Sequence, residues 1–378
     1  MDTKKFRTRQ EKGSLHLPKG KDYIIAVDMG YSGVKIFRED GYSCFPSYAK
    51  KLDKDMLNLP DSRDIFYRNE ETKEVYLLGY NAQDMTDGTN DTEGELYSRR
   101  RYSGERFRIL CQAATGLALM DKTDDRKVSI QTGLPASYMK DDRDLKKAFS
   151  NMPRFSLRIG TDKEWTTFEP QIKEDDIHVM EQPKGALYST ITYNNGTYTK
   201  DAMQMLKGSV LVIDAGFLTL DLYGIKDRRI ECHESIDDIG MHQVFAKTVE
   251  KIEEEFSEEI RVPALQKNLV TGSVTCVNEE TMGSEEKDFT ALLEKANNEV
   301  FHDAKEKIRS ITKAFRGYQY VIVDGGTGEA WYGKICDWLK GMKTISVLPS
   351  NLNDKLPFIY SNARGYYMYR YMSDKRRK

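Results

Sequence analysis

Residues 23–35 read YIIAVDMGYSGVK, and this stretch decides the fold assignment. Its apolar run predicts a buried strand, and the Asp-x-Gly turn that follows leads into a returning strand. Residues 211–221 read LVIDAGFLTLD and repeat the pattern. Two such hairpins, far apart in one chain, predict two similar lobes that clamp one phosphate chain. That arrangement is typical of nucleotide hydrolases and kinases.

Both hairpin turns are candidates for phosphate binding, because glycine lets a ligand approach the backbone amides closely. A lysine on the returning strand of the first hairpin can add a point charge. A threonine in the second hairpin can add a hydroxyl. The candidate phosphate-binding residues are therefore Gly30, Tyr31, Ser32, Gly33, Lys35, Gly216, Phe217, Leu218 and Thr219.

Two aspartates end the apolar strands at matching places and are the candidates for binding magnesium. Mg²⁺ keeps several of its waters and takes few protein carboxylates. Asp28 and Asp214, facing each other, can therefore hold the ion through water. Asp221 lies on the returning strand of the second hairpin, and it could instead only order that hairpin.

A third glycine turn lies in residues 320–329, which read YVIVDGGTGE. A strand that enters a Gly-Gly turn and then a helix lets the backbone pass close to a base or a ribose. Gly325, Gly326 and Thr327 are the candidates for that contact, and Gly240 is the candidate for the opposite wall. A single Asp-x-Gly turn is weak support, since β-turns use the same residues. Three of them, each after a β-rich run, favour a nucleotide site.

Hydrolysis also needs a residue that orients water toward the γ-phosphorus, since phosphoryl transfer depends mainly on positioning and electrostatics. Gln182 is the candidate, because it lies at a predicted strand-to-helix junction. An amide cannot take a proton, so Gln182 would steer the water. Glu181 is the rival and could act as a base. Either residue could also merely cap the helix.

Composition bounds the class of protein. The 378 residues are 39% hydrophobic with a net charge of −2, which predicts two domains or one bilobed domain and no general affinity for nucleic acid. The five dispersed cysteines form no C-x-x-C pair, which argues against a disulfide framework and against zinc. No apolar run is long enough to cross a membrane and no signal core is visible, so a cytoplasmic location is expected.

Changes in composition predict the domain boundaries, and a polar stretch over residues 84–95 predicts an exposed loop. The expected units are a flexible basic arm (1–21), a first domain (22–193) with an insertion at about 52–104, a second domain (194–355) and a C-terminal helix that returns to the first domain (356–378).

Apolar spacing predicts the helices. The main ones are expected over residues 105–119, 241–256, 285–315 and 362–372. Their alternation with strands favours an α/β architecture.

With these motifs the chain resembles the actin-like ATPases, a branch of the superfamily that also includes sugar kinases and large heat-shock chaperones. Asp28, Gly30 and Lys35 have the spacing of the first phosphate motif of that family. The second hairpin is similar to the second phosphate motif, and residues 325–327 to the adenosine motif. Gln182 falls where actin has its water-positioning glutamine.

Within this family the chain is most similar to ParM-type plasmid-segregation actins. Residues 132–135 (TGLP) and 362–367 (NARGYY) are of the kind that this branch carries. Two features depart from the pattern. Phe217 and Leu218 are bulky residues in the second phosphate turn, where relatives often have Gly or Asp, and the basic arm is unusually long.

The resemblance implies an α/β, actin-like bilobed fold of two duplicated ribonuclease-H-like domains with subdomain insertions. It implies that ATP, with GTP as the alternative, and Mg²⁺ bind between the lobes. Hydrolysis would govern a head-to-tail filament of this chain. The implied partner is a ParR-like DNA-binding adaptor on a centromere-like plasmid site. Neither direct sequence-specific DNA contact nor a membrane is expected.

Other functions within the superfamily stay open. A small-molecule kinase needs a carboxylate aimed at a hydroxyl, a role that Glu181 could fill. A bacterial cell-shape actin often carries an amphipathic membrane segment, but the arm has only Phe6, Leu15 and Leu17 as large apolar residues. A chaperone-like switch would need an added peptide-binding domain, for which the 378 residues leave no room.

Overall fold

The structure is a computed structural model that describes residues 3–53, 60–86 and 97–376. Most of the predicted loop at 84–95 and the last two basic residues of the chain lie outside these ranges.

The strands are β1 (Glu11–Ser14), β2 (Tyr23–Met29), β3 (Gly33–Arg38), β4 (Gly41–Pro46), β5 (Ala49–Lys51), β6 (Ile65–Asn69), β7 (Val75–Leu78), β8 (Val128–Leu134), β9 (Phe155–Ile159), β10 (Thr166–Phe168), β11 (Ile177–Glu181), β12 (Ser209–Ala215), β13 (Thr219–Lys226), β14 (Arg229–Asp237), β15 (Ser273–Asn278), β16 (Gly283–Asp288), β17 (Tyr320–Asp324) and β18 (Ser346–Pro349). The α-helices are α1 (Tyr80–Asp84), α2 (Glu105–Leu119), α3 (Asp142–Phe149), α4 (Gln182–Ile191), α5 (Ala202–Lys207), α6 (Met241–Phe256), α7 (Val262–Asn268), α8 (Thr290–Ile311), α9 (Gly326–Leu339) and α10 (Ser361–Arg376).

The first large sheet has the order β1-β4-β3-β2-β8-β11. Strands β2, β3 and β4 form an antiparallel meander, and β8 and β11 run parallel to β2. Strand β2 is buried along its whole length, as its unbroken apolar sequence requires of a central strand. The carboxyl ends of the parallel strands therefore meet at one edge, where ligands bind in open α/β sheets.

The second large sheet repeats this plan with the order β14-β13-β12-β17-β18. Strands β12, β13 and β14 form the meander, and β17 and β18 run parallel to β12. Each sheet has its own apolar core. The duplication confirms the predicted α/β, bilobed architecture.

Two smaller sheets are additions to the repeated plan. One has the order β10-β9-β6-β7-β5, and the other is the hairpin β15-β16. The hairpin corrects the predicted helix over 285–315, because residues 283–288 are a strand and α8 begins only at Thr290. The side chain of Glu286 accepts hydrogen bonds from Ser273 and Thr275 on the facing strand. These cross-strand contacts override the helix propensity of the Glu-Glu-Lys run.

Helices α4 and α10 cross between the two halves at a contact of two glycines. A Cβ atom placed on Gly365 would lie 1.7 Å from the carbonyl oxygen of Gly185, so only glycine fits. The fully buried Arg364 donates to the carbonyls of Ser189 and Thr192 at 2.7 and 2.9 Å. It also lies 3.1 Å from the carboxylate of Asp354. The crossing is therefore a close-packed junction in which Arg364 is held by several hydrogen bonds.

The N-terminal arm differs from its prediction. A flexible arm is expected over 1–21, whereas residues 3–6 form a 3₁₀ turn and β1 pairs with β4 at the sheet edge. Leu17 is buried, and Tyr367 of α10 donates a hydrogen bond to the carbonyl of Pro18 at 2.8 Å. The few apolar residues of the arm and its backbone hydrogen bonds suffice to hold it, which charge composition did not reveal.

None of the helices within 3–53, 60–86 and 97–376 combines the length and the apolar character needed to cross a bilayer.

Candidate functional site

The two glycine hairpins face one pocket between the halves. The β2–β3 turn comes from the first sheet, and the β12–β13 turn comes from the equivalent edge of the second sheet. The predicted site residues that line the pocket are Asp28, Gly30, Tyr31, Ser32, Lys35, Gln182, Asp214, Gly216, Phe217, Thr219, Gly325, Gly326 and Thr327. The structure therefore brings together residues that are up to about 300 positions apart in the sequence.

Three predicted residues lie behind the pocket wall. Gly33 begins β3, and its carbonyl accepts a 3.2 Å hydrogen bond from Nζ of Lys35. Leu218 is buried in the core of the first half. A Cβ on Gly240 would lie 2.4 Å from the carbonyl oxygen of Phe217, so this glycine lets α6 pack behind the second turn. Direct ligand contact by these three residues stays a prediction.

Charge at the pocket is dominated by buried carboxylates. Nζ of Lys35 lies 2.8 Å from Oδ2 of Asp28. Burial alone would lower the pKa of Lys35, but the neighbouring Asp28 outweighs it and the pKa is raised. Lys35 is therefore held in its charged form, in an ion pair within reach of the first turn.

A second group of carboxylates lies on the other side. Burial, with Asp324 and Asp221 close by, raises the pKa of Asp214 well above its usual range. Burial raises the pKa of Asp324 to about 7 and that of Asp221 to about 6. Oδ2 of Asp324 lacks a hydrogen-bond partner among the described residues. Ionisation of these neighbouring carboxyl groups is therefore costly, and a bound cation would relieve that cost.

The hydroxyl of Thr219 forms a hydrogen bond within the second hairpin, and its contact with phosphate stays a prediction. Its Oγ1 donates to Oδ2 of Asp221 at 2.9 Å, and Ser235 donates to the other carboxylate oxygen. Asp221 therefore orders the second hairpin. In the third turn, Oγ1 of Thr327 donates to the carbonyl of Gly216 at 2.6 Å, which joins the predicted adenosine motif to the second phosphate turn.

The two candidates for orienting water are in different surroundings. Nε2 of Gln182 donates to Oδ1 of Asp28 at 3.1 Å, and Gln182 lines the pocket. Glu181 instead lies 2.5 Å from Nζ of Lys184 and 3.4 Å from Nε2 of His233. Burial would raise the pKa of Glu181, but the hydrogen bond from Lys184 brings it below the usual value. The geometry favours Gln182 as the residue that faces a ligand.

Asn362 is a site residue whose role sequence reasoning missed. Its Nδ2 donates to Oδ2 of Asp214 at 2.8 Å, and its Oδ1 accepts from the backbone N–H of Ala186 at 2.9 Å. One amide therefore ties the candidate magnesium carboxylate to both crossing helices. Its segment, residues 362–367, was singled out by resemblance, but no local signal points to this contact.

Arg101 was missed as well. Its guanidinium donates to the carbonyls of Met29 and Gly30 at 3.2 and 3.1 Å, and lies 4.4 Å from the ring centroid of Tyr31. Ser47 adds a 2.8 Å hydrogen bond to the carbonyl of Gly30. These bonds hold the first turn with its carbonyls turned toward Arg101. Unlike Asn362 and Arg101, Asp324 could have been found from the sequence, because it follows an apolar run as Asp28 and Asp214 do.

Comparison with known proteins agrees with this architecture. Residues 26–185 match the family described as "Actin like proteins N terminal domain". The protein has an actin-like fold. No curated protein sequence matches the chain significantly.

Solved structures of actin-like proteins are similar over nearly the whole chain. A 15-stranded ParM filament from Clostridium botulinum is 17% identical, with a TM-score of 0.71 over 94% of this chain and 99% of that chain. The apo pSK41 ParM protein is 17% identical, with a TM-score of 0.61 over 94% and 99% of the two chains. The archaeal actin homologue Ta0583 in complex with ADP is 16% identical, with a TM-score of 0.63 over 94% and 100%. The predicted resemblance to actin-like, ParM-type proteins is confirmed.

Proposed function

We propose that this actin-like protein binds ATP and Mg²⁺ in the pocket between its halves, hydrolyses the nucleotide and forms filaments whose turnover depends on hydrolysis. One observation carries the proposal: matching Asp-x-Gly hairpins of two repeated sheets meet across a single pocket. The similar archaeal actin homologue was solved with ADP, which supports a nucleotide here. GTP is the alternative ligand.

We assign the backbone amides of the two turns to binding the phosphates. We assign Lys35 to supplying positive charge beside the first turn. Gly325, Gly326 and Thr327 are assigned to the adenosine side. Amides fixed in a tight turn bind phosphate without reorganising, so the energetic gain lies in their prior arrangement. Arg101 and Ser47 provide that arrangement, because they hold the carbonyl of Gly30.

The carboxylates fit a magnesium ion held mainly through water. In the part of the chain that the structure describes, no three His, Cys, Asp or Glu side chains converge as direct ligands. Mg²⁺ commonly keeps several waters and takes one or two carboxylates beside the phosphates, a role assigned to Asp28 and Asp214. An ion held there would supply positive charge that offsets the charge of the phosphates. Asn362 holds one oxygen of Asp214 and so selects its orientation.

Gln182 is assigned the orientation of the attacking water, because its amide is in the pocket at the start of α4. The same helix crosses α10 at Gly185, and Asn362 joins both helices to Asp214. A change at the phosphates can therefore alter the angle between the halves. We propose that this angle controls the subunit contacts of a head-to-tail filament.

The cellular role proposed for such a filament is segregation of plasmid DNA in the cytoplasm through a ParR-like adaptor bound to a centromere-like site. The similar structures named ParM support it. The net charge of −2 agrees with an adaptor, and not the filament, contacting the DNA.

The test is pelleting and light scattering with ATP, with GTP and without nucleotide, in parallel with phosphate release. Wild-type protein should form filaments only with nucleotide, and Asp214→Ala should abolish hydrolysis while circular dichroism shows an intact fold. Gln182→Ala should slow phosphate release and prolong the filaments. Filaments that form equally without nucleotide, or wild-type turnover in Asp214→Ala, would contradict the proposal.

The geometry does not favour the alternative of a small-molecule kinase, because its candidate base, Glu181, has other partners. Glu181 could serve as a kinase carboxylate only if it faced the pocket, and it is instead engaged by Lys184 and His233.

A further inference from the structure

The N-terminal arm contributes residues to the nucleotide pocket that belong to neither repeated sheet. Phe6, Arg7 and Thr8 line the same pocket as the two glycine hairpins. The γ-methyl group of Thr8 lies 3.1 Å from the position of a Cβ on Gly33, where the first turn enters β3. The arm therefore borders the pocket beside the first turn.

This segment is attached to both halves, but unequally. On the second half, Oγ1 of Thr3 donates to the carbonyl of Leu269 at 2.8 Å, and Phe6 packs on the apolar core. On the first half, the hydroxyl of Tyr80 donates to the carbonyl of Thr8 at 2.6 Å, and Arg7 lies 4.1 Å from the ring centroid of Tyr80.

Beyond Thr8 the arm is held firmly to the first half. The backbone N–H of Tyr80 donates to Oε1 of Gln10 at 2.8 Å, and Glu11 then begins the pairing of β1 with β4. Residues 3–8 can therefore leave the second half while β1 stays in place.

The space left in the pocket is small for a nucleoside triphosphate. With the arm in place the cavity is about 110 Å³, whereas sites for ligands of this size usually enclose ~300–1,000 Å³. Displacement of Phe6, Arg7 and Thr8 would break no strand pairing, because β1 begins only at Glu11.

We propose that Phe6, Arg7 and Thr8 are a gate of the nucleotide site. In the empty protein they lie across the pocket and join the halves, and a nucleoside triphosphate must displace residues 3–8 from the second half before it reaches both glycine turns. The gate slows nucleotide binding, and binding in turn exposes the arm. This inference rests on the proposed nucleotide binding.

Stopped-flow binding of methylanthraniloyl-ATP with Mg²⁺ to the full chain tests the gate. Phe6→Ala removes the packing of the arm on the apolar core of the second half and should raise the association rate constant several-fold, because a partly buried aromatic side chain no longer holds the arm there. Leu15→Ala is the matched control, because Leu15 is a partly buried apolar residue of the same arm that does not line the pocket. A second variant, Thr3→Val, removes the hydrogen bond to the carbonyl of Leu269 on the second half without changing the charge of the arm, and it should also accelerate binding.

The sign of the effect separates the gate from simple attraction. If the arm only helped to hold the nucleotide, Phe6→Ala would bind more slowly than wild type, and that result overturns the gate. Equal rates in Phe6→Ala, Thr3→Val and Leu15→Ala also overturn it, even though the proposed function would stand. Absence of binding in the wild type and in all variants removes both.

Limited trypsin digestion of the wild type gives an independent readout. Cleavage after Lys5 and Arg7, followed by mass spectrometry, should become at least several-fold faster when ATP and Mg²⁺ are added, because the displaced arm is open to protease. Slower cleavage with nucleotide would show that the arm closes on the ligand, and it would overturn displacement.

Discussion

The glycine contact between α4 and α10 leads to the sharpest prediction about the fold. A Cβ on Gly365 would lie 1.7 Å from the carbonyl oxygen of Gly185 and 2.5 Å from its carbonyl carbon. Non-bonded heavy atoms settle at roughly 3.5 Å, so Gly365→Ala must move the helices apart by roughly 1.8 Å. Both obstacles are backbone atoms, so no rotamer change can relieve the clash.

The magnitude follows from two opposing terms. Overpacking of this kind costs about 1–3 kcal/mol, while alanine in place of glycine inside a helix gains about 0.5–1 kcal/mol. Gly333→Ala in α9 is the matched control, because a Cβ there meets no atom within 4 Å and only the gain applies. The helix gain applies to both variants and cancels, so their unfolding free energies should differ by about 1–3 kcal/mol.

Urea unfolding followed by circular dichroism measures this difference. The midpoint should fall for Gly365→Ala and rise slightly for Gly333→Ala, at unchanged slope. The Gly365 variant should also bind nucleotide more weakly, because Asn362 is one turn away on the displaced helix. Equal stability of the two variants would refute the close crossing.

Three further variants probe the pocket. In Asn362→Ala the acid limb of the pH profile of hydrolysis should move to higher pH, because the hydrogen bond from Asn362 lowers the pKa of Asp214. Ser373→Ala on the same helix is the control. An acid limb at the wild-type pH would show that Asn362 does not position Asp214. Burial raises the pKa of Asp221 to about 6, so its stabilising effect is complete below about pH 4 and is lost as the pH rises through 6. In Asp221→Asn the fall in unfolding free energy between pH 4.5 and 7.5 should shrink by about 2 kcal/mol, whereas an unchanged fall would show that another group titrates. Lys35→Met should cost about 3–5 kcal/mol in denaturant unfolding, because a buried carboxylate is left unpaired; a loss under about 1 kcal/mol would contradict the buried pair.

Elements with a strong local pattern were predictable from the sequence. The helix expected over 105–119 is α2, and the one expected over 241–256 is α6, with the same bounds. In both helices the apolar residues at helical spacing form the face that is buried, so the local pattern is enough to predict the helix. The strand at 283–288 was not predictable, because its charged residues favour a helix until Ser273 and Thr275 on the facing strand bond to Glu286.

The same division applies to the candidate site. The hairpins at Asp28 and Asp214 are local motifs, so they could be predicted from the sequence alone. Asn362 and Arg101 act on those hairpins from distant parts of the chain, and only the crossing helices and the packing around the first turn bring them near. The arm is the extreme case, since its charges indicated exposure while Thr3 and Thr8 bond to the two halves.

The most direct test of the central idea is a calorimetric titration of the wild-type chain with ATP, with and without Mg²⁺. One nucleotide should bind per chain, with an affinity that falls when Mg²⁺ is withheld, because the two hairpins and the carboxylates between them form one joint site. No measurable binding, or binding of equal strength without the cation, would contradict the assignment of this pocket.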